Sequence, residues 1–203
     1  MTAGLLGSIS LSGNAAAQEV PGCGNLQNAY GPLDYRTLTP SEKSLVENAH
    51  FTPQVEALER GQSSTMGGDL DYTLRAIPNH ARALLALSRL GEKLKTVKPP
   101  GTNWTIDCYF QRAIAFRPDD PAVHMLYGYY VLREGEKSKA IAELEKARSM
   151  SANDPNVHYN LGLAYLQVGR VDEAVQEAKV AYGLGFPLPG LRDKLRKIGR
   201  WPD

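Results

Sequence analysis

The chain has 203 residues, with 23 Lys and Arg against 22 Asp and Glu. Its formal net charge of +1 offers no basic excess of the kind that nucleic-acid partners require, so none is expected. Apolar residues make up 42% of the chain, enough for a core. No run nears the roughly 18 consecutive apolar residues of a membrane-spanning helix, so no integral membrane span is expected either.

Residues 1–17, "MTAGLLGSISLSGNAAA", are small, weakly apolar and uncharged, and Ala15-Ala16-Ala17 forms an A-x-A site ahead of Gln18. This composition predicts the latter part of a secretory signal peptide without its basic first region, with a disordered tail as the alternative. A periplasmic or otherwise exported setting follows from the signal reading, and the cytoplasm from its alternative.

Residues 18–50 read as an irregular N-terminal arm. Turn formers fill "PGCGN" and "YGPLDYRTLTP", and "SEKSLVENAH" holds a short helix capped by Ser41 or Thr39. Residues 51–78 read as a degenerate helical pair. "TPQVEALERG" has Pro53 near a helix start and Gly61 past its end, and "DLDYTLRAI" begins at a capping Asp69 and stops before Pro78. Between them "QSSTMGG" is expected to be a flexible linker.

Over residues 79–120 the helix "ARALLALSRLGEKL" pairs with "WTIDCYFQRAIAFRPDD" across the loop "KTVKPPGT". Projection of the second helix puts Ile106, Phe110, Ala113 and Ile114 on one face and Cys108 on the opposite one, beside Gln111 and Ala115. An outward thiol is available for pairing. A Cys23–Cys108 disulfide clamping the arm to the array is therefore expected in an oxidising compartment, with two free thiols as the alternative. Lipidation of Cys23 in "VPGC" is disfavoured by Pro21, and Asn103-Trp104-Thr105 matches the N-glycosylation sequon.

The strongest signal comes next. Residues 121–154 laid over 155–188 without a gap match Pro121 with Pro155, Val123 with Val157, His124 with His158 and Gly128 with Gly162. The same register matches Leu132 with Leu166, Gly135 with Gly169, Ala140 with Ala174, Glu143 with Glu177 and Ala147 with Ala181. Matches in register across one period indicate repeated supersecondary units.

At these residues the chain resembles the tetratricopeptide repeat family, whose helix-turn-helix unit is 34 residues long. The resemblance is carried by Leu161, Gly162, Tyr165, Ala174 and Ala181, and departs from the pattern where His124 and His158 replace an aromatic. It implies an all-α fold, a TPR-like solenoid of helix-turn-helix repeats over 51–188. Residues 121–154 and 155–188 are its clear repeats, and 79–120 is a diverged unit with an insertion over Lys95–Thr102. The family's pattern makes Gly128 and Gly162 points of close helix approach, and Gly135 and Gly169 end the first helix of each unit. "GLGFPLPG" then breaks the helix, and 189–203 form a capping helix with Leu191, Leu195 and Ile198 among Arg192, Lys194, Arg196 and Lys197. A basic helix lying on an anionic membrane is the alternative.

No catalytic residue, cofactor or metal is expected: the sequence has no G-x-S-x-G, H-E-x-x-H, C-x-x-C or dinucleotide-binding glycine pattern. His124 and His158 read as packing residues in place of aromatics, since no further ligands accompany them. Binding carries the expected function instead. The resemblance implies a concave groove lined by Arg82, Leu85 and Arg89 beside Glu92, by Met125, Tyr129 and Leu132 beside Ala122, and by Asn156, Tyr159, Leu163 and Leu166. The Lys and Asn with which some relatives clamp a carboxylate tail are absent. A non-enzymatic scaffold or adaptor for an apolar or amphipathic segment of another protein is expected, in assembly of an envelope or secretion-related complex. The alternatives are a homo-oligomer and a non-catalytic subunit of an enzyme. A blander arrangement has the arginines pairing with Glu92 or solvent and the tyrosines packing on the arm.

Overall fold

In the computed structural model, which describes residues 18–201, the two clear repeats begin in the same way. The signal-peptide expectation, on residues 1–17, lies outside the described residues. Asp120 and Asp154 accept hydrogen bonds from the Ala122 and Asn156 amides, and Pro121 and Pro155 take the first helical position, where no intrahelical N–H bond is needed. Helix α6 (Pro121–Arg133) folds against α7 (Lys137–Met150), and α8 (Pro155–Gln167) against α9 (Val171–Gly183). Gly135 and Gly169, at φ +88° and +78°, turn the chain within each hairpin.

Gly128 marks the close approach of α6 and α7: a Cβ there would lie 2.6 Å from Leu144 Cγ and 3.1 Å from the Ala140 carbonyl oxygen. Gly162 likewise faces α9, with the Ala174 carbonyl oxygen at 3.4 Å from such a Cβ, and also makes room for the C-terminal helix, with Leu191 Cδ2 at 2.5 Å. Gly128→Ala should therefore destabilise the fold by about 1–2 kcal/mol, overpacking outweighing the gain in helix propensity. The urea midpoint is the readout; a midpoint that rises would mean the hairpin opens freely.

Upstream lie α1 (Pro40–His50), α2 (Pro53–Glu56), α3 (Met66–Ala76), α4 (Ala81–Leu94) and α5 (Ile106–Phe116). Thr39, not Ser41, caps α1, in a reciprocal box with Glu42. Two expectations need correction. Helix α3 starts at Met66 with Thr65 as its cap, so Asp69 stands inside it. The Asp69 carboxylate, fully buried, accepts hydrogen bonds from the amides of Gln62 (2.6 Å), Ser63 (3.2 Å) and Ser64 (3.3 Å), and this ties down the linker that was expected to be flexible.

His80 caps α4 with its ring: Nδ1 accepts from the Ala83 amide, which leaves the proton on Nε2 to be donated to Glu47 at 3.0 Å. Burial pushes its pKa down to about 4, against the pull of Glu47, so the ring stays neutral and the cap survives at ordinary pH. One core runs from Phe51 to Leu195, with Phe110 stacked on both Tyr127 and Tyr130 at 5.2 and 5.4 Å.

The arm adds a small departure from the all-α plan: β1 (Glu19–Val20) pairs antiparallel with β2 (Gly24–Asn25). A disulfide joins Cys23 to Cys108 on α5, with Cα atoms 5.3 Å apart. Beside it Arg112, buried to 1% exposure, donates to the carbonyls of Cys23 (2.9 Å) and Asn25 (2.7 Å) and lies 4.0 Å over the Trp104 ring. Further along, Asn79 donates to both Asp34 (2.7 Å) and Asp120 (2.9 Å), and Arg36 reaches Asp34 and Asp119. Burial raises the Asp34 pKa, but these donors outweigh it and hold the carboxyl well below the usual range.

Helix α10 (Gly190–Lys197) closes the array with Leu191 and Leu195 fully buried. Two of its three apolar residues are thereby taken up by the core, while Ile198 stays half exposed, which weakens the ground for a membrane-lying helix. No helix among the described residues is long and apolar enough to cross a membrane.

Candidate functional site: the concave surface

Two features of the repeats could carry chemistry, the histidines and the groove. The histidines are not simple substitutes for aromatics, and that expectation is corrected. His124 Nδ1 meets Glu143 at 2.6 Å while Nε2 meets the Pro118 carbonyl at 2.9 Å. One repeat later, His158 meets Glu177 at 2.5 Å and the Ala152 carbonyl at 2.8 Å. Each ring thus bonds through both nitrogens, tying the two helices of its unit to the turn before them. The hydrogen bond that the ring donates to Glu143 raises the His124 pKa against the opposing effect of burial. Burial raises Glu143, yet its bonds to His124 and Lys146 outweigh that and lower it. The ring, 3% exposed, is closed to any substrate. Among the described residues no three His, Cys, Asp or Glu side chains cluster as a metal site would need. The in-register match of Glu143 with Glu177 was the signal that could have shown this pairing.

The groove lies along the first helices of the units, α4, α6 and α8. A cavity of about 420 Å³ is lined by Leu85 and Arg89 of α4, Met125 and Tyr129 of α6, and Asn156, Tyr159 and Leu163 of α8. Seven of the expected groove residues therefore meet in one place. A second cavity of about 420 Å³ adjoins it, sharing Leu163 and adding Leu166, Gln167 and Val171 with Lys194, Lys197 and Ile198.

Two of the expected residues stand elsewhere. Leu132 is 7% exposed and belongs to the core, and Arg82 is drawn to Glu56 of α2, Nε to Oε1 at 2.7 Å, over the Phe51 ring. Glu92 pairs with Arg133 at 3.1 Å rather than with either arginine of α4. Sequence reasoning missed Leu126, Asn160, Phe186 and Leu188, all of which line the first cavity. Phe186 comes from the segment read only as a helix breaker, and stacks on Tyr159 at 4.1 Å. No arm residue among those described lines either cavity, so the tyrosines do not pack on the arm.

Among the described residues no Asp, Glu, His or Cys lines either cavity. Half-buried aromatic, Leu and Met side chains around a concavity are suited to holding an apolar segment.

A family model described as TPR repeat matches residues 131–169. No curated protein matches the chain. Among solved structures, MamA AMB-1 in its C2221 crystal form is 20% identical and covers 78% of this chain and 87% of its own, with a TM-score of 0.51. Another crystal structure of MamA is 23% identical over 65% of this chain and 70% of that one, at a TM-score of 0.45. A thermophilic TPR protein of Thermus thermophilus is 20% identical over 65% of this chain and 88% of that one, at 0.42. At such identities the likeness concerns fold alone, and the first of these supports a TPR-like solenoid. The tetratricopeptide repeat family is supported where its model matches, from the last residues of α6 through α7 and α8.

Proposed function

We propose that this chain is a scaffold without catalysis of its own, whose concave groove holds an apolar or amphipathic segment of another protein. The observation that carries the reading is the pair of adjoining apolar cavities along α4, α6 and α8, left open while the arm docks on α5 and the turns beside it. Repeats of this family generally serve protein–protein interaction, which supports the same reading. The setting we propose is assembly of an envelope or secretion-related complex outside the cytoplasm. Support for it comes from the Ala15–Ala17 composition and from the disulfide, a bond that persists in oxidising compartments.

The test is capture of partners from an envelope extract of the source organism, comparing the chain with a Tyr129→Glu, Leu163→Glu double variant shown to be folded by circular dichroism. A partner held by the first and lost by the second, by at least about tenfold, is the expected result, since the double change removes two apolar anchors from the centre of the groove. Identical partner sets would move the function off the groove.

A further inference from the structure

The charged side chains that line the groove have one sign. Among the described residues, Arg89 in the first cavity and Lys194 and Lys197 in the second are the only charged ones that line them. All three are exposed, and among the described residues none forms an ion pair, whereas neighbouring Arg196 and Arg200 on the same terminal segment pair with Asp193 and Asp172. An apolar strip is thus flanked by cations that stand outside any ion-pair contact among the described residues. Such charges add little to the fold, but they steer and select a ligand of opposite sign.

We infer that the groove selects an acidic amphipathic segment of a protein partner, its apolar residues seated on Leu163 and its neighbours and its carboxylates meeting Arg89 at one end and Lys194 and Lys197 at the other. This rests on the groove reading above and adds the charge of the occupant. A membrane is the poorer fit, because the leucines of α10 that would enter it are buried and the open apolar surface is concave.

The experiment uses two fluorescently labelled helical peptides built from Leu and Ala, one carrying Glu on its polar face and the other Lys in the same places. In low salt the Glu peptide should bind about tenfold more tightly, the gap narrowing as salt screens it. Lys194→Glu with Lys197→Glu, both exposed positions, should reverse the preference. Equal affinity for the two peptides would overturn the charge inference while leaving the groove intact. Loss of both on the uncharged change Tyr129→Ala, Leu163→Ala reports on the groove separately. Binding of neither peptide, or sedimentation with phosphatidylglycerol vesicles that the Glu peptide fails to displace, would also overturn it.

Discussion

Glu143→Leu, with His124 left in place, should lower stability by about 3–5 kcal/mol, because it strands a buried ring that donates toward an acceptor no longer there. The double replacement His124→Leu, Glu143→Leu should recover most of that loss, since a buried pair is often no better than apolar side chains of like volume. Urea unfolding of the three proteins checks both statements. Equal damage in the single and double variants would mean that the Pro118 contact, not the pair, holds the unit together. The pair also predicts a pH window. His124 titrates higher folded than unfolded, so its share is complete below about pH 6.5 and fades as pH rises through the folded pKa. Glu143 titrates lower folded than unfolded, so its share is present above about pH 4.5 and fades as pH falls through the folded value. The difference in stability between wild type and the double variant should therefore be greatest between those limits. His80 runs the other way: its contribution is full above about pH 6.5 and falls off toward 4, by an amount on the order of 3 kcal/mol.

Replacing Cys23 and Cys108 together by Ala should lower stability by about 2–4 kcal/mol, toward the upper end because the bond closes a loop of sequence separation 85. Reduction of the wild type by a dithiol should produce the same downward shift in Tm and leave the variant where it was. Helical circular dichroism should persist in both, and peptide binding in the groove should not change, because no described arm residue lines it. An unshifted Tm would mean that Arg112 and the Asp34 cluster hold the arm without the bond.

Much of the fold was legible because repetition is a property of the sequence itself. Pro121 and Pro155, the turn glycines and the periodic Leu and Ala positions recur at one spacing, and each has a local physical reason to start, end or pack a helix. The faces of α5 were legible for the same reason: projection alone separates Phe110 from Cys108. Asp69 was misread because a capping aspartate and a buried aspartate that accepts loop amides have the same residue type, and only the path of residues 62–65 distinguishes them. The groove was half legible. Family positions name which side of a helix faces inward, but not what covers it; hence Leu132 vanished into the core and Phe186 arrived from the end of the last repeat, read only as a helix breaker.

By itself, then, the sequence determined the helical repeats, their hairpin turns and the apolar character of the inner helices, since these depend on spacing and propensity along the chain. Tertiary structure alone decided which polar groups met: His124 with Glu143, Asp69 with its linker, and Arg112 with the arm. It also decided which cations remained without partners beside the groove. The reason is physical: a helix face is fixed by local periodicity, whereas a hydrogen bond or an open cavity exists only where distant segments are brought within about 3 Å of each other or kept apart.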